Sequence, residues 1–253
     1  MNVYRKLVAD GLKDKRVISF GEAVTVDELQ QIFKLRYHVY SDLGYINPDR
    51  FPNQLESDEY DTLRKSRYFI AILEDGENRK MIGCIRLIID DPLPTELDFE
   101  FEEPNDIKII PRNQRAELGR FIIIPPDKEH NDYLPRGFTM LFLLNVLSQY
   151  GIKHNIQGGY AFIKRSLDLK LRKSKFPTGY IKSYTQRYPK NGILHRYFSQ
   201  PEDPVIPIYF VTRLFYEYTE KIINMHYMFE IKEDTIIYKR NLYTWLLRSL
   251  KIT

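Results

Sequence analysis

Two strongly apolar runs of this chain carry charged residues at positions where a buried strand normally has none. Arg86 interrupts IGCIRLII, and Glu117 and Arg120 interrupt AELGRFIII. Burying such a group without a partner costs several kcal/mol. Two explanations stay open: these residues form structural ion pairs with one another or with acidic residues elsewhere, or they mark a functional site.

Two further segments place charges beside sequence that forms regular structure. Arg36 lies in LRYHVYSDLGY, and Asp58 and Asp61 lie in ESDEYD. Charges spread in this way over separate segments usually mark a site, because only folding brings them together.

The composition excludes several kinds of protein. With 253 residues and 43% hydrophobic content, the chain is long enough for one substantial core. Its single cysteine excludes an internal disulfide, and its five histidines show no ligand spacing, so we predict no metal site. No apolar run approaches the roughly 18 residues that cross a bilayer, and the N-terminus lacks the apolar core of a signal peptide. We therefore predict a cytoplasmic protein with no integral membrane segment.

The charge is unevenly distributed along the chain. Eight acidic residues and no basic one lie between Asp90 and Asp106, whereas eleven lysines and arginines lie between Lys153 and Arg196 with the single acid Asp168. Such a basic surface attracts a polyanion or an acidic protein, unless it is simply a solvated helix face. Nucleic acid is the usual partner of a basic patch, but no helix-turn-helix, RNP or zinc-finger pattern is present, so we do not expect it.

The order of predicted elements indicates a mixed sheet flanked by helices. Strands are predicted at 17–24, 68–73, 81–89, 116–124, 160–163 and 205–212, and helices at 25–44, 138–150, 164–175 and 213–250. We predict one α/β domain over residues 1–212, with a helical C-terminal extension at 213–253 packed on the same domain.

The charged residues, taken in order, resemble the motifs of one superfamily of acyltransferases. These motifs are Arg36 with Tyr40 and Tyr45, the pair Asp58 and Asp61, the strand residue Arg86, and Glu117 with Arg120. In this order they resemble the GNAT-like autoinducer-synthase superfamily, which includes acyl-homoserine-lactone synthases, N-acyl amino acid synthases and exosortase-associated acyltransferases. Homoserine-lactone synthases typically have Trp at the position of Tyr45, and the chain resembles the N-acyl amino acid synthase and exosortase-associated branches more closely.

The resemblance implies a GNAT-like acyltransferase fold and an N-acyltransferase activity. The enzyme would move a fatty acyl group from acyl carrier protein or acyl-CoA to the amine of a small acceptor, an amino acid, with no tightly bound cofactor. The alternatives are a homoserine-lactone synthase that uses S-adenosylmethionine, a non-catalytic module that binds acyl groups or acyl carriers, and a nucleic-acid binder.

The predicted catalytic residues are Glu117, Arg120, Phe121 and Ile123, all in AELGRFIII. Glu117 is the candidate general base for the attacking amine, or else forms a salt bridge with Arg86 or Arg120. Backbone amides from Phe121 to Ile123 are candidate oxyanion donors, if the strand opens locally.

The remaining site residues are predicted to bind substrates. Arg86 and Arg120 either clamp the carboxylate of the acceptor or form a network with Glu117. We predict that Arg36 pairs with Asp58 or Asp61 and organises the loop on the amine side, together with the motif aromatics Tyr40 and Tyr45.

An acyl slot and a carrier-docking face complete the predictions. Phe142 and Phe162, with neighbouring apolar residues of the helix at 138–150, line the slot or belong to the core. Arg136 lies where a loop and a helix N-terminus would hold a phosphate. The predicted docking face for the acidic carrier and its phosphopantetheine arm is formed by Lys164, Arg165, Arg172 and Lys173.

Overall fold

The two charged apolar runs are neighbouring strands in a large mixed sheet. The computed structural model describes residues 1–9, 17–124, 137–188, 195–198, 200–225 and 227–239. The strands are β1 (Asn2–Ala9), β2 (Val17–Glu22), β3 (Ser66–Asp75), β4 (Asn78–Ile88), β5 (Phe99–Phe101), β6 (Arg115–Ile123), β7 (Gly158–Lys164), β8 (Thr178–Tyr180), β9 (Tyr184–Gln186), β10 (Val205–Val211), β11 (Phe229–Lys232) and β12 (Thr235–Tyr238). The helices are α1 (Val26–Asp42), α2 (Glu59–Thr62), α3 (Pro94–Asp98), α4 (Asn105–Lys108), α5 (Phe138–Lys153), α6 (Arg165–Lys173), α7 (His195–Phe198) and α8 (Thr212–Ile223).

Within the described residues, ten strands form one sheet in the order β11-β12-β1-β2-β3-β4-β6-β7-β10-β8. Neighbouring strands are antiparallel except for two parallel pairs, β1 with β12 and β6 with β7. The predicted mixed α/β sheet is confirmed. In the described ranges, no helix has the length and apolar content needed to cross a membrane.

Alternate side chains of β3 show which helices cover each face of the sheet. Phe69 and Ala71 pack in the larger core with α5 and α8, whereas Tyr68 and Ile70 pack in a smaller core with α1. Successive side chains of a strand point to opposite faces. We call these two sides the α5 face and the α1 face.

The sheet opens between β6 and β7. The two strands pair in parallel only as far as Leu118 and Ala161. Beyond this point β6 continues to Ile123 and β7 to Lys164, and the two strands no longer pair. The opening connects the two faces of the sheet at the predicted catalytic segment.

A β-bulge in β6 accompanies this opening. Between its pairs at Gly119 and Ile122, β6 has two residues, Arg120 and Phe121, where β4 has only Ile85. Arg120 has a φ angle of 55°, in the left-handed region that residues other than glycine rarely adopt. Because a bulge bends its strand and redirects side chains, this one accounts for the local opening that the catalytic prediction required.

The tail is only partly helical, which corrects the prediction of a helix over 213–250. Helix α8 ends at Ile223, and β11 and β12 form a hairpin whose second strand pairs with β1. Phe229, Ile236 and Tyr238 are buried in the larger core. The spacing up to Phe229 fits a helix, but pairing with the free edge of β1 buries the apolar side chains of the TIIY strand. Residues 240–253 lie outside the described residues.

Candidate active site

Three arginines and three carboxylates form one buried ion network on the α1 face. Its members are Arg36 of α1, Arg86 of β4, Arg120 of β6, and the carboxylates Glu56, Asp58 and Asp61. Each carboxylate accepts hydrogen bonds from two of the arginines, and each arginine donates to two of the carboxylates. The network therefore balances its own charge.

Helix α2 positions the two aspartates by capping itself. Asp58 is its N-cap and accepts a hydrogen bond from the Tyr60 amide at 3.1 Å, while the Asp58 amide donates to Asp61 at 2.9 Å. This capping box fixes both carboxylates relative to the backbone. Arg86 then donates through Nη1 to both of them, each at 2.7 Å, and Arg36 donates to Asp61 at 3.0 Å.

Glu56 joins two arginines from different elements, and sequence reasoning missed it. Arg36 Nε donates to Glu56 Oε2, and Arg120 Nη2 donates to Oε1 at 2.8 Å. Burial alone would raise the pKa of Glu56, but Arg120 and Arg36 outweigh it and hold the pKa at about 2. A glutamate in a loop belongs to no periodic sequence pattern that would single it out. The available signal is one of charge balance: three buried arginines and only two aspartates require a third acid.

These contacts bear on the two explanations offered for Arg86 and Arg120. Both direct their guanidinium groups at network carboxylates, with Arg120 also donating to Asp58 at 3.1 Å. The Arg120 guanidinium lies 5.7 Å from the centre of the Tyr40 ring. The geometry therefore supports the structural network rather than a carboxylate clamp.

Glu117 lies outside this network. Its Oε2 accepts hydrogen bonds from the amide and the hydroxyl of Thr95, both at 2.7 Å. Burial raises the pKa of Glu117 to about 7, against the opposing effects of the Thr95 hydrogen bonds and of Arg86. A carboxyl group with this pKa exchanges protons near neutral pH, as a general base must. Thr95 is a second residue that the sequence did not reveal.

A cavity of about 1660 Å³ passes through the opening between β6 and β7. On the α1 face its wall includes Glu117, Thr95, Tyr40, Tyr45 and Lys164. On the α5 face its wall is mainly apolar and includes Met140, Leu144, Leu167, Leu171, Phe215 and Ile222, with Lys170 and Lys173 of α6 also contributing. The cavity thus has a polar side and an apolar side, separated by the strands.

The predicted acyl-slot residues separate in the structure. Phe162 lines the cavity, but on the α1 face rather than on the apolar side, and it stacks on Phe99 with ring centres 4.2 Å apart. Phe142 does not line it; the side chain is fully buried 5.2 Å from Phe20 and 6.0 Å from Phe229, measured between ring centres. Phe142 therefore belongs to the core formed with the sheet and the C-terminal hairpin. The sequence predicted a helix, not a hairpin, in this part of the chain.

The predicted oxyanion donors lie at the opening. Phe121 and Ile123 both follow Leu118, the last residue of β6 that pairs with β7. The edge of β6 facing β7 is therefore without strand partners in this part of the described chain, and its backbone groups border the cavity.

The predicted docking residues do not form one surface. Arg165, Arg172 and Lys173 are exposed on α6, with Arg172 paired to Asp168 at 2.9 Å. Lys164 is only 6% exposed and points into the cavity wall, so it is not a surface residue. Arg136 lies outside the described residues.

Comparisons with known proteins identify the fold. Residues 31–158, about half of the chain, match the family model described as N-acyl amino acid synthase FeeM. The structure of FeeM, an N-acyl amino acid synthase from uncultured soil microbes, is similar with a TM-score of 0.50 and 17% identity, over 81% of this chain and 94% of that one.

Two further solved structures share the fold. BjaI, a CoA-dependent acyl-homoserine lactone synthase solved with SAM and isopentyl-CoA, has a TM-score of 0.52 and 14% identity, over 88% of this chain and 93% of its own. MesI, another CoA-dependent acyl-homoserine lactone synthase, has a TM-score of 0.51 and 16% identity, over 83% and 91%. No curated protein matches in sequence. The predicted acyltransferase fold is confirmed.

The substitution Glu56→Gln should disrupt the ion network and destabilise the folded protein. It leaves Arg36 and Arg120 buried and short of one negative charge, which lowers the free energy of unfolding by about 3–5 kcal/mol. Urea denaturation at pH 7 measures this loss, and Glu77→Gln, in the exposed turn after β3, is the control that leaves stability unchanged.

The same variant has a pH signature. Because the folded-state pKa of Glu56 is held at about 2, below its ordinary 4.5, its contribution is complete above pH 4.5 and is lost as the pH falls towards 2. The variant should lose less stability than the unmodified protein over that interval. Equal stability of the two proteins at pH 7 would contradict a structural role for Glu56.

Proposed function

The chain belongs to the N-acyl amino acid synthase FeeM family and is an acyltransferase, and from this we propose that it joins a fatty acyl group from a thioester to the amino group of an amino acid. The predicted family and activity are thereby confirmed. The acceptor, the donor and the roles of individual residues are the proposed part.

The observation that carries the proposal is the position of Glu117. A carboxyl group with a pKa of about 7 borders the opening of the sheet, and no arginine of the ion network neutralises it with a hydrogen bond. The buried ion pairs and the proposed base are thus separate groups, which supports this role for Glu117. Glu117 is free to take a proton from an incoming ammonium group.

The reaction needs a base and an oxyanion site but no nucleophilic side chain. Glu117 takes a proton from the ammonium group of the acceptor, and the amine attacks the thioester carbonyl. Backbone amides on the open edge of β6, around Phe121 and Ile123, stabilise the oxyanion. The oxyanion collapses, the carbon–sulfur bond breaks, and the leaving thiolate takes up the second proton that the attacking nitrogen gives up, so that a thiol is released as the amide forms. Arg120 positions this edge through its bonds to Glu56 and Asp58.

The apolar side of the cavity suits the fatty acyl chain. Its wall comes from α5, α6 and α8, with Leu144, Leu171 and Phe215 as examples. Burying each methylene there is worth about 0.8 kcal/mol, so a long chain would be held firmly.

The proposed donor is an acyl carrier protein. Helix α6 carries exposed Arg165, Lys170 and Lys173, and the last two also line the cavity. An acidic carrier guided to this helix would present its phosphopantetheine arm at the cavity. Acyl-CoA is the other thioester donor, and BjaI, which shares the fold, is a CoA-dependent enzyme.

Glu117→Gln should strongly slow product formation. Cells that express the unmodified protein should contain long-chain N-acyl amino acids in lipid extracts, as measured by mass spectrometry. In the variant the purified enzyme should be about 10²- to 10⁴-fold slower because the general base is lost. Lactones in place of N-acyl amino acids would support a homoserine-lactone synthase, and unchanged turnover in the variant would exclude Glu117 as the base.

The pH dependence of kcat/KM should report the Glu117 carboxyl group. Because the base must be deprotonated, kcat/KM should rise with pH through about 7 and then level off. Thr95→Val removes the hydroxyl that stabilises the carboxylate and should move the rise to higher pH by about one unit. Thr95→Ser keeps the hydroxyl and is the matched control; identical profiles for Val and Ser variants would refute this link.

Charge reversal on α6 should distinguish docking of an acyl carrier protein from binding of the thioester alone. The double substitution Arg165→Glu and Lys173→Glu should raise KM for acyl carrier protein at least tenfold at low salt, because it replaces steering attraction by repulsion. Acyl-pantetheine keeps the thioester but lacks the protein, so its KM should be unchanged. Lys153→Glu, at the exposed end of α5, is the control. Equal effects on both donors would rule out a docking role.

A further inference from the structure

Lys164, the last residue of β7, has its ammonium group enclosed in the wall of the cavity. The residue is 6% exposed. Its Nζ lies 4.3 Å from the centre of the Tyr197 ring and 5.0 Å from that of Tyr45. The same atom donates hydrogen bonds to the Tyr197 carbonyl and, at 3.2 Å, to the side-chain oxygen of Gln200. All these partners are uncharged.

This lysine differs in kind from the buried arginines nearby. Each network arginine donates to two carboxylates, whereas among the described residues no carboxylate forms a salt bridge with Lys164. Burial lowers the pKa of Lys164, with Asp203 and Glu202 acting in the opposite direction. A buried cation without a bonded anion is unfavourable for the fold alone. Because the Lys164 ammonium group lines the cavity, it is a candidate binding group for an anionic ligand.

We propose that Lys164, framed by Tyr45 and Tyr197, binds the carboxylate of the acceptor amino acid and so selects acceptors that carry one. This inference rests on the proposed function. The network cannot supply this contact, since Arg86 and Arg120 already donate to Glu56, Asp58 and Asp61.

The position of Lys164 fits the acceptor side of the cavity. Tyr160 lies opposite Glu117 across the parallel pair, and Lys164 follows Tyr160 by four residues on the same face of β7. At about 3.3 Å per residue the two backbone positions are roughly 13 Å apart. The two side chains and an amino acid between them, with one bridging water at the amine, cover such a separation.

An anion could also come from the donor, as the phosphate of its phosphopantetheine arm. The location favours the acceptor, because Lys164 shares the α1 face with Glu117, whereas its neighbour Ile163 packs in the core on the α5 face with α5 and α6. Kinetics with each substrate varied separately distinguish the two sources.

The test compares an amino acid with its neutral carboxamide as acceptor. With saturating acyl donor and thiol release as the readout, the unmodified enzyme should show a KM at least tenfold lower for the amino acid. Lys164→Met should remove this preference and leave the KM of the donor unchanged, while Lys164→Arg should retain most of it. Lys153→Met, an exposed lysine outside the cavity, should behave as the unmodified enzyme.

A merely structural lysine would give a different result. Lys164→Met should not lower the melting temperature, since it removes a desolvated charge. A large fall in melting temperature with equal loss of both acceptors would overturn the proposal. So would a preserved preference, or a raised KM for the donor alone, which would assign the site to the phosphate.

Thiol release and thermal shift together distinguish failure of the proposed function from failure of the proposed carboxylate site. If the unmodified enzyme releases no thiol with either acceptor, the proposed function fails, and thermal shift still tests the site. The amino acid, but not its carboxamide, should then raise the melting temperature of the unmodified protein and not that of Lys164→Met. Absence of that difference would overturn the inference.

Discussion

The carboxylate of Glu56 joins three parts of the structure: helix α1, the loop before α2 and the bulged strand β6. It accepts hydrogen bonds from Arg36 on α1 and from Arg120 on β6, and its own amide donates to the Phe33 carbonyl at 3.1 Å. The helix, the loop before α2 and the bulged strand are thereby held in one arrangement. Arg120 has a left-handed backbone conformation, which is unfavourable by itself. Its ion pairs with Glu56 and Asp58 therefore help to stabilise the β-bulge. The bulge in turn accompanies the opening through which the cavity passes.

Charge balance divides the buried polar groups into two kinds. The six network groups neutralise one another, so they stabilise the fold above acidic pH and have little affinity left for a substrate. Glu117 and Lys164 are not paired with an opposite charge in the described residues, and burial moves the pKa of each towards neutrality: upward for the acid, downward for the base. An unpaired acid and an unpaired base in one cavity wall match the two ends of an amino acid, an amine that must lose a proton and a carboxylate that must be held.

The sequence predicted which charged residues form the buried cluster, with the exception of Glu56. Arg86 and Arg120 were recognisable because they interrupt apolar strands, and the structure brings both together with Arg36, Asp58 and Asp61. Glu56 and Thr95 were not recognisable. Glu56 lies in a loop, and Thr95 lies in the short helix α3 within a segment that the sequence predicted as a loop, so neither follows a periodicity. Lys164 was assigned to a surface because the charge pattern of the sequence shows where basic residues occur but not which way their side chains point. The hairpin after α8 was missed because its strands are defined by a long-range pairing with β1.

In the proposed reaction, the alternation of side chains along β7 gives the acyl chain and the acceptor separate walls of the cavity. Phe162 and Lys164 project to the α1 face, where the acceptor is proposed to bind, while Ala161 and Ile163 pack towards the helices that surround the apolar side. A change in α5, α6 or α8 can therefore alter the space for the acyl chain without touching Glu117 or Lys164. Conversely, a change around Tyr45 alters the surroundings of the Lys164 ammonium without narrowing the apolar side. Under the proposed function, donor length and acceptor identity are thus governed by different residues, which meet at the open edge of β6.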